Sequence, residues 1–545
     1  MTFRAALIAG ALAAFAANAA FAMPLGHMAF NGHVPFKKGS GNVAVIEPPV
    51  SHPNETPCEV SLYKKAKFGA NNVYFLYQPP ANCPGPYSTI ILSVDISLDA
   101  GVQYDRSGTI WIGGVPLWFG TTAEPTPSLG PSWHFERDVT DYTTLLEGAN
   151  TGFVLIANYT NQQDTSIITT SAKLLFYPVP NGQAAPVVPD VIVPLAADGG
   201  GTVGLNTGTD TIAIDQTLPT NIAAANLDVY LQGQSNDEFW YTCVPDNLSG
   251  ELQSCGGGAL REGEITVDGA PAGVAPVYPW IFTGGINPRL WAPIPGVQTL
   301  DFRPFRVPLT PFAGVLSNGA IAHQVALSVY GADSYFSVTG ALMLYLDHGG
   351  NQVTGSITQN TLTGEPSPVV RNTIKSKNGV ISGKVDTSLL RDFVISGTVV
   401  TSAGTEQYTV TQHGHFTNRQ TFHISNTEYV QNIRQLTDTD VTTLLEASGG
   451  NVTGVARYSY PLGVDYDQRA GTTIAQGFLQ DVKTSANGST TKSRLEDSID
   501  TKTAQGIASA AHYATSDGTG NCFERRLASA SNVLTSVKTR ITCRK

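Results

Sequence analysis

The sequence predicts an all-β protein: two adjacent β-sandwiches followed by a β-rich C-terminal domain. Three observations predict it. Charged residues make up only 14% of the 545-residue chain, which holds 55 Gly and 33 Pro, so turns and strands are favoured over long helices. Ile90, Leu92, Val94, Ile96 and Leu98 alternate with mostly polar residues, the period of a half-buried strand. Short apolar runs bounded by Gly and Pro recur along the whole chain, the pattern of sandwiches.

The elements follow in order. Thr89–Leu98 is the clearest strand. Val73–Tyr77, Thr109–Ile112, Phe153–Ala157 and Ser171–Tyr177 complete a first strand set, and Val139–Leu146 is long enough only for a helical turn. The stretch Pro178–Pro194, with Pro186 and Pro189, reads as a linker. Leu227–Leu231, Gly263–Val267, Ile321–Val329 and Ala341–Leu346 form a second strand set. Between them Pro271–Pro311 is long and rich in Gly, Pro and aromatics, and a loop of that length in a compact domain is usually functional. It carries Tyr278, Trp280, Phe282, Asn287, Arg289 and Trp291. Val380–Val385, Phe393–Val400, Tyr408–Gln412 and Val452–Tyr458 are short strands of a third, accessory or supporting region. The expected divisions are 1–22, 23–185, 186–348 and 349–545.

Residues 1–22 read as a secretory signal peptide. Arg4 supplies the positive start, Ala5–Ala16 the apolar run and Ala20-Phe21-Ala22 the cleavage site. The Ala-rich run has a bacterial character, so a secreted or periplasmic protein is expected, with no membrane attachment after cleavage. Cys58, Cys83, Cys243, Cys255, Cys522 and Cys543 fall into three sequence-local pairs. Six cysteines allow fifteen connectivities, and locality selects 58–83, 243–255 and 522–543. The net charge of −11 argues against a nucleic-acid partner. His413, His415 and His423 share a parity but lack zinc-ligand spacing, so neither metal nor cofactor is expected.

The chemistry concentrates in residues 103–143. Asp105-Arg106 precedes the bulky run Ile110-Trp111-Ile112, Glu124 follows in Thr121-Thr122-Ala123-Glu124-Pro125-Thr126, and Trp133 leads into Glu136-Arg137-Asp138-Val139-Thr140. Carboxylates move protons or accept hydroxyl hydrogen bonds, and aromatic faces stack on pyranose rings. Glu136, Asp138 and Asp141 are assigned to turns and caps.

These motifs resemble the N-terminal signature of the peptide:N-glycosidase A family, the peptide-N4-(N-acetyl-β-glucosaminyl)asparagine amidases. Tyr104 stands where Phe is commoner. The resemblance continues through Asn236-Asp237-Glu238-Phe239-Trp240-Tyr241, Leu260-Arg261-Glu262, Thr283-Gly284-Gly285-Ile286-Asn287-Pro288 and Trp291, and spans roughly 55–350. The run at Asp138-Val139-Thr140-Asp141-Tyr142 is similar, more loosely, to the flavobacterial peptide:N-glycosidases, which are two jelly rolls with the site at their junction. The resemblance therefore implies jelly-roll sandwiches, an acidic optimum and a cofactor-free amidase acting on N-glycosylated peptides and glycoproteins. It implies that Asp105 is the catalytic carboxylate. A second carboxylate comes from Glu238 or Glu262, and the sequence does not choose between them. Arg106, Glu124, Trp240, Arg261, Asn287 and Trp291 are the expected substrate contacts. A glycoside hydrolase and a non-enzymatic glycan-binding jelly roll are the alternatives.

Overall fold

The structure is a computed structural model and describes residues 36–69, 72–196, 200–503, 506–516 and 521–542. The expected signal peptide lies outside the described residues, as does one half of the expected Cys522–Cys543 pair. The other two pairs, Cys58–Cys83 and Cys243–Cys255, are formed.

Eight strands build the first sandwich: β1 (Cys58–Phe68), β2 (Val73–Tyr77), β3 (Tyr87–Leu98), β4 (Ser107–Ile112), β5 (Val115–Thr121), β6 (Ser132–Asp138), β7 (Asn150–Ile156) and β8 (Ile168–Pro178). One sheet runs β1-β8-β3-β6 and the facing sheet β2-β7-β4-β5, and every pairing is antiparallel. That order is jelly-roll connectivity. The alternation that predicts β3 continues in its packing: Ile90, Leu92, Val94, Ile96 and Leu98 all enter the core between the sheets.

The second sandwich repeats the scheme. After β9 (Val191–Pro194) come β10 (Val203–Thr207), β11 (Ile212–Gln216), β12 (Ile222–Gly233), β13 (Glu262–Val267), β14 (Ala270–Pro276), β15 (Phe305–Pro308), β16 (His323–Tyr330) and β17 (Asp333–Leu346). The sheets are β10-β17-β12-β15 and β11-β16-β13-β14, the same jelly-roll order, and β9 adds itself to β17. The proline-rich stretch thus ends in a sheet strand: Val191 to Pro194 pair with Leu344 to Ala341.

The third region forms one antiparallel sheet of thirteen strands. Three of its strands, of 20 to 22 residues, are far longer than the short runs expected. Val380–Val385 and Phe393–Val400 belong to a single strand, Val380–Thr401, which pairs along its length with Gly404–Ile424. The polar residues between the apolar runs keep the period of two, so the strand continues through them. One face of this sheet is exposed and carries His413, His415 and His423. The other face shares a core with the second sandwich, where Phe393, Tyr408, Phe416, Tyr460 and Phe478 pack against its loops and strands.

Amides complete that interface. Gln412, Asn418, Gln420 and Gln480 donate from the sheet to the carbonyls of Val274, Tyr241, Cys243 and Pro279. Loop carbonyls buried by the packing would otherwise lack partners, which makes long amide side chains the natural choice on this face. The third region is therefore built onto the second sandwich.

Candidate active site

The site forms where the β4–β5 hairpin of the first sandwich meets the loops of the second. Ser107 pairs with Thr121 at the hairpin's open end. The pairing runs one step further: Arg106 N donates to Thr122 Oγ1 at 2.9 Å, and Thr122 N to Arg106 O at 3.0 Å. This extension places Asp105 and Glu124 side by side, and Asp105 N donates to Glu124 Oε1 at 3.3 Å.

Gln103 organises the approach. It is 3% exposed, and its Oε1 accepts from Tyr104 N at 3.1 Å and from Arg106 Nη2 at 2.5 Å. Its Nε2 donates to Tyr159 O at 3.2 Å. Among the described residues Arg106 Nε is buried without a hydrogen-bond partner, so a donor remains beside the two carboxylates. Tyr104 is exposed, with the Arg106 guanidinium 5.8 Å from its ring centre.

The third carboxylate, Glu238, comes from the tight turn Ser235–Thr242 that follows β12. A buried ion pair anchors this turn. Arg261 donates to Asp237 Oδ1 at 2.9 Å, and Asp237 Oδ2 accepts from Asp333 N at 2.7 Å. Arg261 also donates to the carbonyls of Gly258 and Leu260.

Two adjacent glycines tie the halves together. A methyl group on Gly284, whose φ is +79°, would lie 2.1 Å from Glu124 Oε1. A methyl on Gly285 would lie 3.4 Å from Glu238 Oε1. The Gly284-Gly285 pair thus touches a carboxylate of each sandwich, and only glycine provides the space and the left-handed backbone at the first position. Thr283 Oγ1 donates to Thr122 O at 2.6 Å and docks this loop onto the first sandwich.

All three carboxyls are displaced in the same direction. Burial pushes Asp105 up to about 7, against the opposing pull of Arg106. Burial and the charge of Asp105 push Glu124 up to about 7, and the same two causes raise Glu238 to about 7. Among the described residues, no arginine, lysine or histidine forms an ion pair with any of the three. Such a cluster holds protons at neutral pH and ionises stepwise, so it can present a carboxylate and a carboxylic acid together.

Other expected site residues are placed differently. Glu262 accepts from Arg391 Nε of the third region at 2.9 Å, and its charged neighbours are Arg391 and Glu264. Arg261 was expected at the substrate, but its side chain is 1% exposed and engaged by Asp237. Trp240 and Trp291 are 2% and 3% exposed and lie in the core, and Asn287 is bound to Gln476 at 2.8 Å. The aromatics of the long loop fill the space beneath it. Tyr278, Trp280 and Phe282 are buried too, so the loop's contribution to the site is its glycines. Glu136 lies between His52 and His134, Asp138 accepts from Thr140 N at 2.9 Å, and Asp141 pairs with Arg306.

A separate cavity of about 630 Å³ lies between residues 36–49 and the sheet of the first sandwich, lined by Trp133, Glu136 and Arg303 among others. None of the three clustered carboxylates lines it. Among the described residues, no group of three or more His, Cys, Asp or Glu is arranged to hold a metal ion, and no helix is long and apolar enough to cross a membrane.

Two jelly rolls with a carboxylate cluster at their junction define a protein equipped for proton-transfer chemistry. The chain belongs to the peptide N-acetyl-β-D-glucosaminyl asparaginase amidase A family, whose model matches residues 48–363. It is 29% identical to peptide-N4-(N-acetyl-β-glucosaminyl)asparagine amidase A of Prunus dulcis, over 66% of each chain. The chain thus spans about two thirds of that relative's length. Among solved structures it is similar to PNGase F, a glycosylasparaginase from Flavobacterium meningosepticum. That likeness has a TM-score of 0.35 at 14% identity and covers 54% of this chain and 96% of the other. PNGF-II gives a TM-score of 0.36 at 12% identity, over 53% and 66% of the two chains.

Proposed function

We propose that this protein hydrolyses the amide between asparagine and the innermost N-acetylglucosamine of N-glycosylated peptides and glycoproteins. Family membership supports the activity. The observation that carries the chemistry is the convergence of Asp105, Glu124 and Glu238, three largely buried carboxylates without a paired cation among the described residues.

An amide is a poor electrophile, so water must be activated and the departing nitrogen must gain a proton. Asp105, whose rise the Arg106 guanidinium opposes more than any other group does, is the group best kept ionised, and it takes the water's proton. Glu238, raised by burial and by the Asp105 charge, stays neutral and supplies a proton to the glycosylamine nitrogen. Water adds across the carbon–nitrogen bond, leaving aspartic acid on the peptide and a free glycosylamine. Glu124 accepts from the Asp105 backbone and holds that segment in place, and the free Arg106 Nε–H faces the acetamido or peptide carbonyl. Activity then falls as pH rises through about 7, where the acid is lost.

Export to an oxidising compartment is part of the proposal, supported by the Cys58–Cys83 and Cys243–Cys255 disulfides. One mass measurement tests the function. A defined N-glycopeptide incubated with the protein across pH 3–8 should yield free peptide with Asn converted to Asp. A single sugar left on Asn would mark a glycoside hydrolase acting between sugars. An intact glycopeptide at every pH would leave only glycan binding.

A further inference from the structure

Beyond residue 363 the chain lies outside the family match, yet its sheet reaches the loop that bears on two of the clustered carboxylates. We propose that the C-terminal sheet is a positioning element of the site. Gln476 and Asp497 hold the 283–291 loop so that Gly284 and Gly285 set the places of Glu124 and Glu238.

The links are short. Gln476 Oε1 accepts from Asn287 Nδ2 at 2.8 Å, and Asp497 Oδ2 accepts from Trp291 N at 2.8 Å. Asp497 is 1% exposed, and its other oxygen accepts from Ser509 Oγ at 2.8 Å, which fixes the carboxylate in the sheet. The Trp291 ring meets Phe478 of the same sheet edge-on at 4.7 Å. From there Trp291 Nε1 donates to Gly285 O at 2.9 Å. Its neighbour Gly284 is the residue whose missing side chain makes room for Glu124, and Gly285 lies beside Glu238.

The loop's backbone shows that it is held from outside. Ile286 and Trp291 have φ of +60° and +66°, a conformation that branched and bulky residues keep only where their surroundings impose it. The side chains of Gln476 and Asp497 add restraints on this loop from outside the second sandwich. They are positioning residues, because neither touches a clustered carboxylate.

The alternative is that these bonds only hold the sheet on. Gln412 provides the matched comparison. It is equally buried on the same sheet face and donates to Val274 O at 3.2 Å, on β14 and away from the loop. The experiment uses the full chain with Gln476→Ala, Asp497→Ala and Gln412→Ala. Each variant is measured for kcat and KM on a glycopeptide against pH, and for Tm from pH 4 to 8. All three should lose some thermal stability. Gln476→Ala and Asp497→Ala should lower kcat by roughly ten-fold or more with little change in KM. Gln476→Ala should also flatten the fall of Tm between pH 4 and 7, because a displaced loop admits water to Glu124 and Glu238. Asp497→Ala flattens it for a second reason, since burial raises the Asp497 carboxyl itself to about 6, so Gln476→Ala decides this arm. Gln412→Ala should do neither. If the first two behave like Gln412→Ala, the proposal is overturned. Should Asp497→Ala fail to fold, Asp497→Asn still offers an oxygen to Trp291 N and should restore folding and kcat; a folded Asn variant as impaired as predicted for Ala also overturns it. The kcat arm rests on the proposed amidase activity. If the wild-type protein cleaves no glycopeptide, that reading fails, and the Tm profiles alone still decide the positioning role.

Discussion

Glu238 and Glu262 invite comparison, because both belong to the second sandwich and burial pushes both carboxyls up to about 7. Their surroundings separate them. Glu262 has a dedicated cation, Arg391, at 2.9 Å. Glu238 has none among the described residues, and its charged neighbour is another carboxylate, Asp105. The same contrast runs through the molecule. Asp228 is held by Arg306 and Asp237 by Arg261, whereas Asp105, Glu124 and Glu238 face one another. A displaced pKa alone does not mark a reactive carboxylate here. Lack of a paired cation does not mark it alone either, since burial also raises Glu406 to about 7 and Asp497 to about 6. What sets the three apart is that both conditions meet where carboxylates of two sandwiches converge.

The largest effect should come from Asp105→Asn. The amide keeps the shape but cannot take a proton, so kcat should fall by roughly 10³-fold or more, while circular dichroism and Tm show a folded protein. Near-wild-type turnover would remove Asp105 from the mechanism. Next, Glu238→Gln should lower kcat by about 10²-fold with the fold retained. Glu262→Gln should leave kcat nearly unchanged, because its side-chain oxygen still accepts from Arg391. Glu262→Leu leaves that buried guanidinium short of a partner and should cost about 1–3 kcal/mol in denaturant unfolding. The comparison collapses if the two Gln variants exchange these behaviours.

A smaller effect is expected from Gly284→Ala. The added methyl meets Glu124 Oε1, and a shift of even part of an ångström should lower kcat by about ten-fold. Gly269 has a φ of +78° and open space where its methyl would go. Gly269→Ala therefore carries the backbone strain without the contact, and its kcat should stay at the wild-type level.

Much of this contrast was legible in the sequence, and the illegible part has a physical cause. The alternation of Ile90 to Leu98 foretold β3, and the segment around Asp105 contained both Asp105 and Glu124, which the structure sets side by side. Glu238 and Glu262 were indistinguishable because Arg391, which separates them, lies in another region and reaches Glu262 only through tertiary packing. Trp240, Trp291 and Arg261 were expected at the substrate because sequence shows residue type but not burial. Arg261 had a local sign, since Asp237 precedes Glu238 and a carboxylate in such a turn can claim a nearby arginine. The role of Gly284 is visible only as the absence of atoms next to Glu124. In the third region, strands of twenty or more residues looked like several short ones, because Gln, Asn and Thr on the inner face break the apolar pattern while keeping its period.

The comparison also has a thermodynamic side, with the smallest expected effect. Unfolded Asp and Glu titrate near 4, and in the folded protein the three clustered carboxyls titrate at about 7. Between those values the folded state binds more protons than the unfolded state. The free energy of unfolding therefore decreases as pH rises from about 4 to about 7 and levels off above. Replacing one member by its amide removes part of that loss. Asp105→Asn and Glu124→Gln should each be more stable than the wild type at pH 8, on the order of 1 kcal/mol since the groups are partly solvated, and should match it at pH 4. Asp347→Asn should behave in the opposite way at pH 8, because hydrogen bonds from Ser402 and Gly349 N hold the Asp347 carboxyl below its ordinary range. Tm measured at the two pH values separates the cases. Amide variants of the cluster that are destabilised at pH 8 would mean that its carboxylates are held by favourable partners after all.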